Sequence, residues 1–127
     1  MDKDVSRLLQ RQLQRLARDY AKELPANVEM IATGIQQLLA QSADSETGES
    51  VRQHLHRLKG SGTTLGFDDV SETARVLEAL LASALGQTVP LSADQRTEMH
   101  RAIADLRAVA RRARQSIVDD KSTVPTG

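Results

Sequence analysis

His56 is followed by Lys59 and Gly60 in the run Leu55-His56-Arg57-Leu58-Lys59-Gly60-Ser61-Gly62. Residues three and four apart are neighbours on a helix surface, so an imidazole, an ammonium and an empty position share one patch. An unperturbed imidazole has a pKa of about 6.5 and is mostly neutral at pH 7, and a nearby ammonium opposes its protonation. The neutral ring keeps a lone pair and is a competent nucleophile. Lys59 can neutralise a dianion attached to that ring, and Gly60 leaves a hollow where a side chain would crowd it. A glycine inside a helix costs about 1 kcal/mol relative to alanine, and a local rule broken in this way tends to mark a functional site. The chemistry suited to these groups is taking up a phosphoryl group and handing it on. Groups for activating water or binding ATP are missing.

On a wheel of about 100° per residue, Val51, Leu55, Leu58, Gly62 and Leu65 fall opposite His56 and form a core seam. Glu49, Arg52, Gln53, Lys59, Gly60 and Thr63 fall on the His56 side. His56 therefore points to solvent, and Arg52, Gln53, Gly60 and Thr63 are the candidate docking residues around it. His54 lies at the edge of the core arc, where a packed or partly buried histidine is expected. His54 and His56 cannot clasp one metal ion, because residues two apart on a helix do not face each other, and His100 adds no ligand spacing. No metal site is expected. The glycines from Gly60 to Gly66 fit neither nucleotide-phosphate spacing, and no strand precedes them. Gly62 and Gly34 read as close-packing positions, and Gly66 as a cap or turn. Arg111-Arg112-Ala113-Arg114 reads as a solvated helix face.

The elements that must hold this patch are helical almost throughout. The periodicity predicts helices over about 4–23, 25–41, 49–64, 68–86 and 92–118, with 119–127 as a flexible tail. The first carries Val5, Leu8, Leu9, Leu13, Leu16 and Tyr20. Pro25 fits the first turn of the second, whose stripe is Val28, Ile31, Ile35 and Leu38. Residues 42–48 read as a loop. Asp68 or Asp69 can cap the fourth helix, which buries Val70, Ala74, Leu77, Leu81 and Ala84. Ser92 and Gln95 make a capping box for the fifth, with Met99, Ile103, Leu106, Ala110, Ala113 and Ile117 inward. No segment alternates as a strand does. Short loops between amphipathic helices make antiparallel neighbours. The expected fold is all-α: an up-and-down antiparallel four-helix bundle with an additional N-terminal helix packed across or beside it.

The 127 residues suggest one domain spanning 1–127. Lys plus Arg equals Asp plus Glu at 17 each, with one Tyr, one Phe and no Trp. Such a chain lacks the basic field and stacking rings of a nucleic-acid binder. No apolar run reaches the ~20 residues of a membrane span, and no signal-peptide core opens the chain. A cytoplasmic monomer is the plain expectation.

The run from His56 to Phe67, HRLKGSGTTLGF, resembles the phosphoacceptor motif of histidine-containing phosphotransfer (HPt) domains. That pattern is His-x-Leu-Lys-Gly-Ser/Ala-Ser/Ala/Gly, with a hydrophobic residue and a glycine about ten positions after the histidine. The helical layout extends the likeness over about residues 4–118. The resemblance implies a helical bundle that accepts phosphate on His56, assisted by Lys59 and made accessible by Gly60. It implies exchange with the aspartate of a response-regulator receiver domain, a sensor or hybrid histidine kinase upstream, and no cofactor of the chain's own. The Mg²⁺ would sit on the receiver. Such a chain is a relay intermediate, not an enzyme with ATP-binding or hydrolytic motifs. Helper polar residues on the neighbouring helix are not identifiable; Glu78 is a candidate on spacing alone, and its charge opposes a phosphate unless it bonds an imidazole N–H. The rival readings are a non-catalytic helical adaptor, with His56 unphosphorylated, and a phosphoacceptor module of a larger histidine kinase or regulator.

Overall fold

A computed structural model describes residues 2–40 and 45–123. Within them the chain forms α1 (Asp2–Ala40), α2 (Ser45–Thr64), α3 (Asp68–Gly86) and α4 (Ala93–Thr123), with no strand among the described residues. Each helix packs on the next, and α4 closes back on α1. Cross-helix partners run in opposite directions. On α1 and α4, Arg107 bonds Glu29 while the earlier Arg96 bonds the later Leu39 carbonyl. On α2 and α3, His56 faces Glu78 while the later Lys59 carbonyl accepts the Ser71 hydroxyl. The result is the expected all-α up-and-down bundle.

The core is one cluster from all four helices, with Leu24, Ile35, Leu55, Leu77 and Leu106 fully buried. The stripes expected from periodicity are inward along α2, α3 and α4, although Ala84 and Ile117 are only half-buried. Gly34 packs where an added Cβ would collide with Val51 Cγ2.

Three boundaries differ from expectation. The helices expected at 4–23 and 25–41 are one continuous α1, with Pro25 inside it. An interior proline costs about 3 kcal/mol and removes a bond to the carbonyl four residues back. Here Ala21 and Leu24 before it and Val28 and Ile31 after it are buried in the same seam, so tertiary packing holds the helix straight through the expected break. The additional N-terminal helix exists as the first half of α1, but its stripe from Val5 to Leu16 is exposed rather than packed on the bundle. The loop expected at 42–48 is helical from Ser45, because Gly48 seats against Leu85, whose Cδ2 a Cβ would meet at 2.8 Å; residues 42–44 lie outside the described ones. Of the tail expected at 119–127, residues 119–123 continue α4, and 124–127 lie outside the described residues.

Caps hold the remaining ends. Ser92 and Gln95 form the reciprocal box, with the Gln95 N–H donating to Ser92 Oγ at 3.1 Å and the Ser92 N–H to Gln95 Oε1 at 2.9 Å. Neither Asp68 nor Asp69 caps α3. The N-cap is Phe67, without a side-chain cap bond, and both aspartates sit in the first turn, where their charge still favours the helix dipole. Phe67 is placed there by the turn before it. Its N–H donates to the Gly62 carbonyl at 2.7 Å and the Gly66 N–H to that of Thr63 at 3.3 Å, a Schellman arrangement that needs the positive φ of Gly66, +87°.

Candidate functional site

The three-residue connection 65–67 between α2 and α3, folded as the Schellman turn, sets the register of α2 on α3, and the register decides what meets His56. Ser71 donates to the Lys59 carbonyl at 2.7 Å, and Thr63 Oγ1 bonds both that carbonyl at 3.2 Å and Ser71 Oγ at 2.6 Å. Tyr20 of α1 buttresses the same stretch: its ring stacks on Phe67 with centroids 5.5 Å apart, and its hydroxyl donates to the Leu58 carbonyl at 3.3 Å. Ser61 Oγ lies 3.1 Å from that hydroxyl. Burial raises the Tyr20 pKa and the Ser61 bond opposes the rise, so the phenol is a structural donor.

With this register, His56 lies on the outer side of α2 with its side chain 72% exposed. Its Nδ1 stands 3.3 Å from Glu78 Oε2, and Lys59 Nζ donates to Glu78 Oε1 at 2.9 Å. Glu78 is 18% exposed and sits between the two. Its desolvation by partial burial would raise its pKa, but bonding and charge from Lys59, with a smaller share from His56, together hold the carboxyl below the ordinary carboxylate range. It is therefore an anion at neutral pH. A carboxylate facing Nδ1 selects the tautomer with hydrogen on Nδ1 and leaves the lone pair on Nε2. The anion that could have opposed a phosphate thus orients the ring, and the Lys59 charge is engaged by Glu78 in this state.

His56 opens onto a groove of about 670 Å³ between α2 and α3. Arg52, Gln53 and Lys59 line it from α2, and Arg75, Ala79 and Ala82 from α3. Arg52 is within 3.7 Å of Glu49. Gly60 and Thr63 are exposed on the same helix side but lie outside the lining; a Cβ on Gly60 would meet nothing within 4 Å. Arg75, Ala79 and Ala82 lie on the helix expected at 68–86, and the sequence does not single them out by number. Their signal is a second polar and small-residue face on α3, at the spacing 75, 78, 79 and 82, which repeats the helical period beside His56. His54 is half-buried on another groove, its Nδ1 2.7 Å from the Ser50 carbonyl. Among the described residues no group of three or more His, Asp or Glu side chains could hold a metal ion, and no helix is long and apolar enough to cross a membrane.

The depressed carboxyl of Glu78 predicts a pH effect. Its interactions stabilise the fold fully above the unfolded carboxylate value, about 4.3, and are lost as pH falls through the lower folded value. The thermal midpoint should fall below about pH 4.5, and Glu78→Gln should flatten part of that fall. An identical acid limb in the variant would show that Glu78 contributes nothing to it.

Compared with known protein families, the chain matches the Hpt domain over residues 15–109. Searches of curated proteins and of solved structures return no match.

Proposed function

Because the chain belongs to the Hpt domain family, we propose that it relays phosphoryl groups through His56 Nε2, exchanging them with the aspartate of a response-regulator receiver domain. The supporting observation is the ring itself: exposed, beside a groove, with Nδ1 facing a carboxylate. The neutral ring attacks phosphorus in line, the N–P bond forms as the P–O bond to the aspartyl carboxylate breaks, and the aspartate leaves as an anion. The Nδ1 proton stays in place, so positive charge develops on the ring facing Glu78. Glu78 plays the part that a buried aspartate plays behind a catalytic histidine, holding the tautomer and stabilising the imidazolium. The reverse transfer uses the same geometry. Catalysis is then mostly positioning and charge stabilisation, and the chain carries neither kinase nor hydrolase activity of its own.

Arg52, Gln53, Arg75 and the small Ala79 and Ala82 form the docking surface, with Gly60 giving clearance beside the ring. The partners are receiver domains and a sensor or hybrid histidine kinase in the cytoplasm. The chain holds no cofactor, and Mg²⁺ comes with the receiver, where it neutralises phosphoryl charge. Lys59 is shared: a dianion on Nε2 competes with Glu78 for its ammonium.

The test is transfer from a labelled receiver. An acid-labile, base-stable label should appear on the chain; a chain that binds the receiver yet stays unlabelled would be an adaptor. Lys59→Ala should slow transfer roughly ten-fold, the scale of one charge-assisted contact, and leave helix content intact. If that variant unfolds, Lys59 is chiefly a structural partner of Glu78.

A further inference from the structure

The seam that α1 gives to the bundle continues past the bundle's end. Ala21, Leu24, Val28, Ile31 and Ile35 are buried, but Val5, Leu8, Leu9, Leu13 and Leu16 on the same helix are 52–58% exposed. Every side chain from residue 3 to residue 16 is exposed. At about 100° per residue, Val5, Leu9, Leu13, Leu16 and Tyr20 fall within an arc of roughly 80°, with Leu8 beside it. Isolated exposed leucines are ordinary, whereas a contiguous apolar run marks an interaction surface. Steps of four, four, three and four residues are those of a seam that interlocks with another helix.

We infer that this face pairs with the same face of a second copy of the chain. Between residues 5 and 20 the seam is flanked by Ser6, Gln10, Gln12 and Ala17, all uncharged. Arg7, Arg11 and Arg18 lie on the opposite side of the helix. Only Arg15 and Asp19, of opposite sign, come near one edge. Two copies therefore meet without like charges across the seam. An anionic lipid surface would instead be met by cations at the apolar edge, and here most of them point away from it. Burying five such side chains on each copy removes on the order of 1,000 Å² from water, the lower bound for a specific interface. A two-fold pair uses the same residues on both copies. No α1 residue lines the His56 groove, so the pairing and the phosphotransfer reading stand or fall separately. The inference replaces the monomer expected from the sequence.

Sedimentation equilibrium on the 127-residue chain should show a monomer–dimer equilibrium. Leu9→Glu combined with Leu16→Glu should raise the dissociation constant at least ten-fold without lowering the thermal midpoint measured at concentrations where both chains are monomeric, because both positions lie outside the core. The chain has no cysteine, so Leu13→Cys introduces a single thiol. Mild oxidation should link two copies through it, and Arg11→Cys on the far side should not link. A chain that stays monomeric up to about 1 mM, or a dimer indifferent to the two glutamates, overturns the proposal. Monomers that instead move onto phosphatidylserine vesicles, and lose this with the glutamates, overturn it in favour of a lipid surface.

Discussion

His56→Gln should lose all phosphoryl labelling from a phosphorylated receiver while keeping the helix content and thermal midpoint of the parent chain. The side chain is 72% exposed and its described contact is Glu78, so the substitution opens no cavity. Glutamine retains a polar group of similar reach, but its amide nitrogen has no nucleophilic lone pair. His54→Gln is the internal control. That ring is two residues away, half-buried, on a different groove and tied to the Ser50 carbonyl at 2.7 Å, so its loss should leave labelling unchanged. The pair distinguishes one reactive histidine from general imidazole chemistry. Full labelling of the His56 variant, or equal loss in both variants, would end the assignment.

What could be read in the sequence follows from where the information sits. The side of α2 that carries His56 is a property of α2 alone, so the period of Val51, Leu55 and Leu58 was enough to place it. The Ser92 box and the Gly66 turn are equally local. Glu78 was only a candidate, because its approach to His56 depends on the α2–α3 register, and that register depends on the turn from Gly62 to Phe67. Pro25 carries a true local signal, a break, that is overruled by Ala21 and Leu24 buried before it and Val28 and Ile31 buried after it. Gly48 made a polar stretch read as loop when Leu85, 37 positions on, holds it in a helix. The stripe from Val5 to Leu16 shows the deepest limit. Periodicity announces a face to be covered and says nothing about which molecule covers it.

Gly60 and Gly62 should respond in opposite directions to the same substitution, although they sit two residues apart in one helix. An added Cβ on Gly60 meets nothing within 4 Å, so Gly60→Ala gains helix propensity without a clash and should stabilise the fold by about 1 kcal/mol. A Cβ on Gly62 would stand 3.2 Å from both the Phe67 carbonyl oxygen and the Ser71 backbone nitrogen. Those atoms belong to the Schellman turn and the first turn of α3, which cannot retreat without shifting the register that brings Glu78 to His56. Gly62→Ala should therefore cost about 1–3 kcal/mol, the usual penalty of overpacking, and Gly62→Val more. Urea midpoints at constant slope measure both effects. The functional readout inverts the order of harm. Gly60→Leu should fold at least as well as the parent yet obstruct transfer, since its side chain fills the clearance beside the ring. Equal stabilisation by alanine at both sites would remove the structural role given to Gly62, and unimpaired transfer in Gly60→Leu would remove the functional one given to Gly60. A helix that keeps a costly glycine where an added Cβ would touch nothing has no reason for it within the fold, and on the proposed function the reason is clearance for the partner that docks at His56.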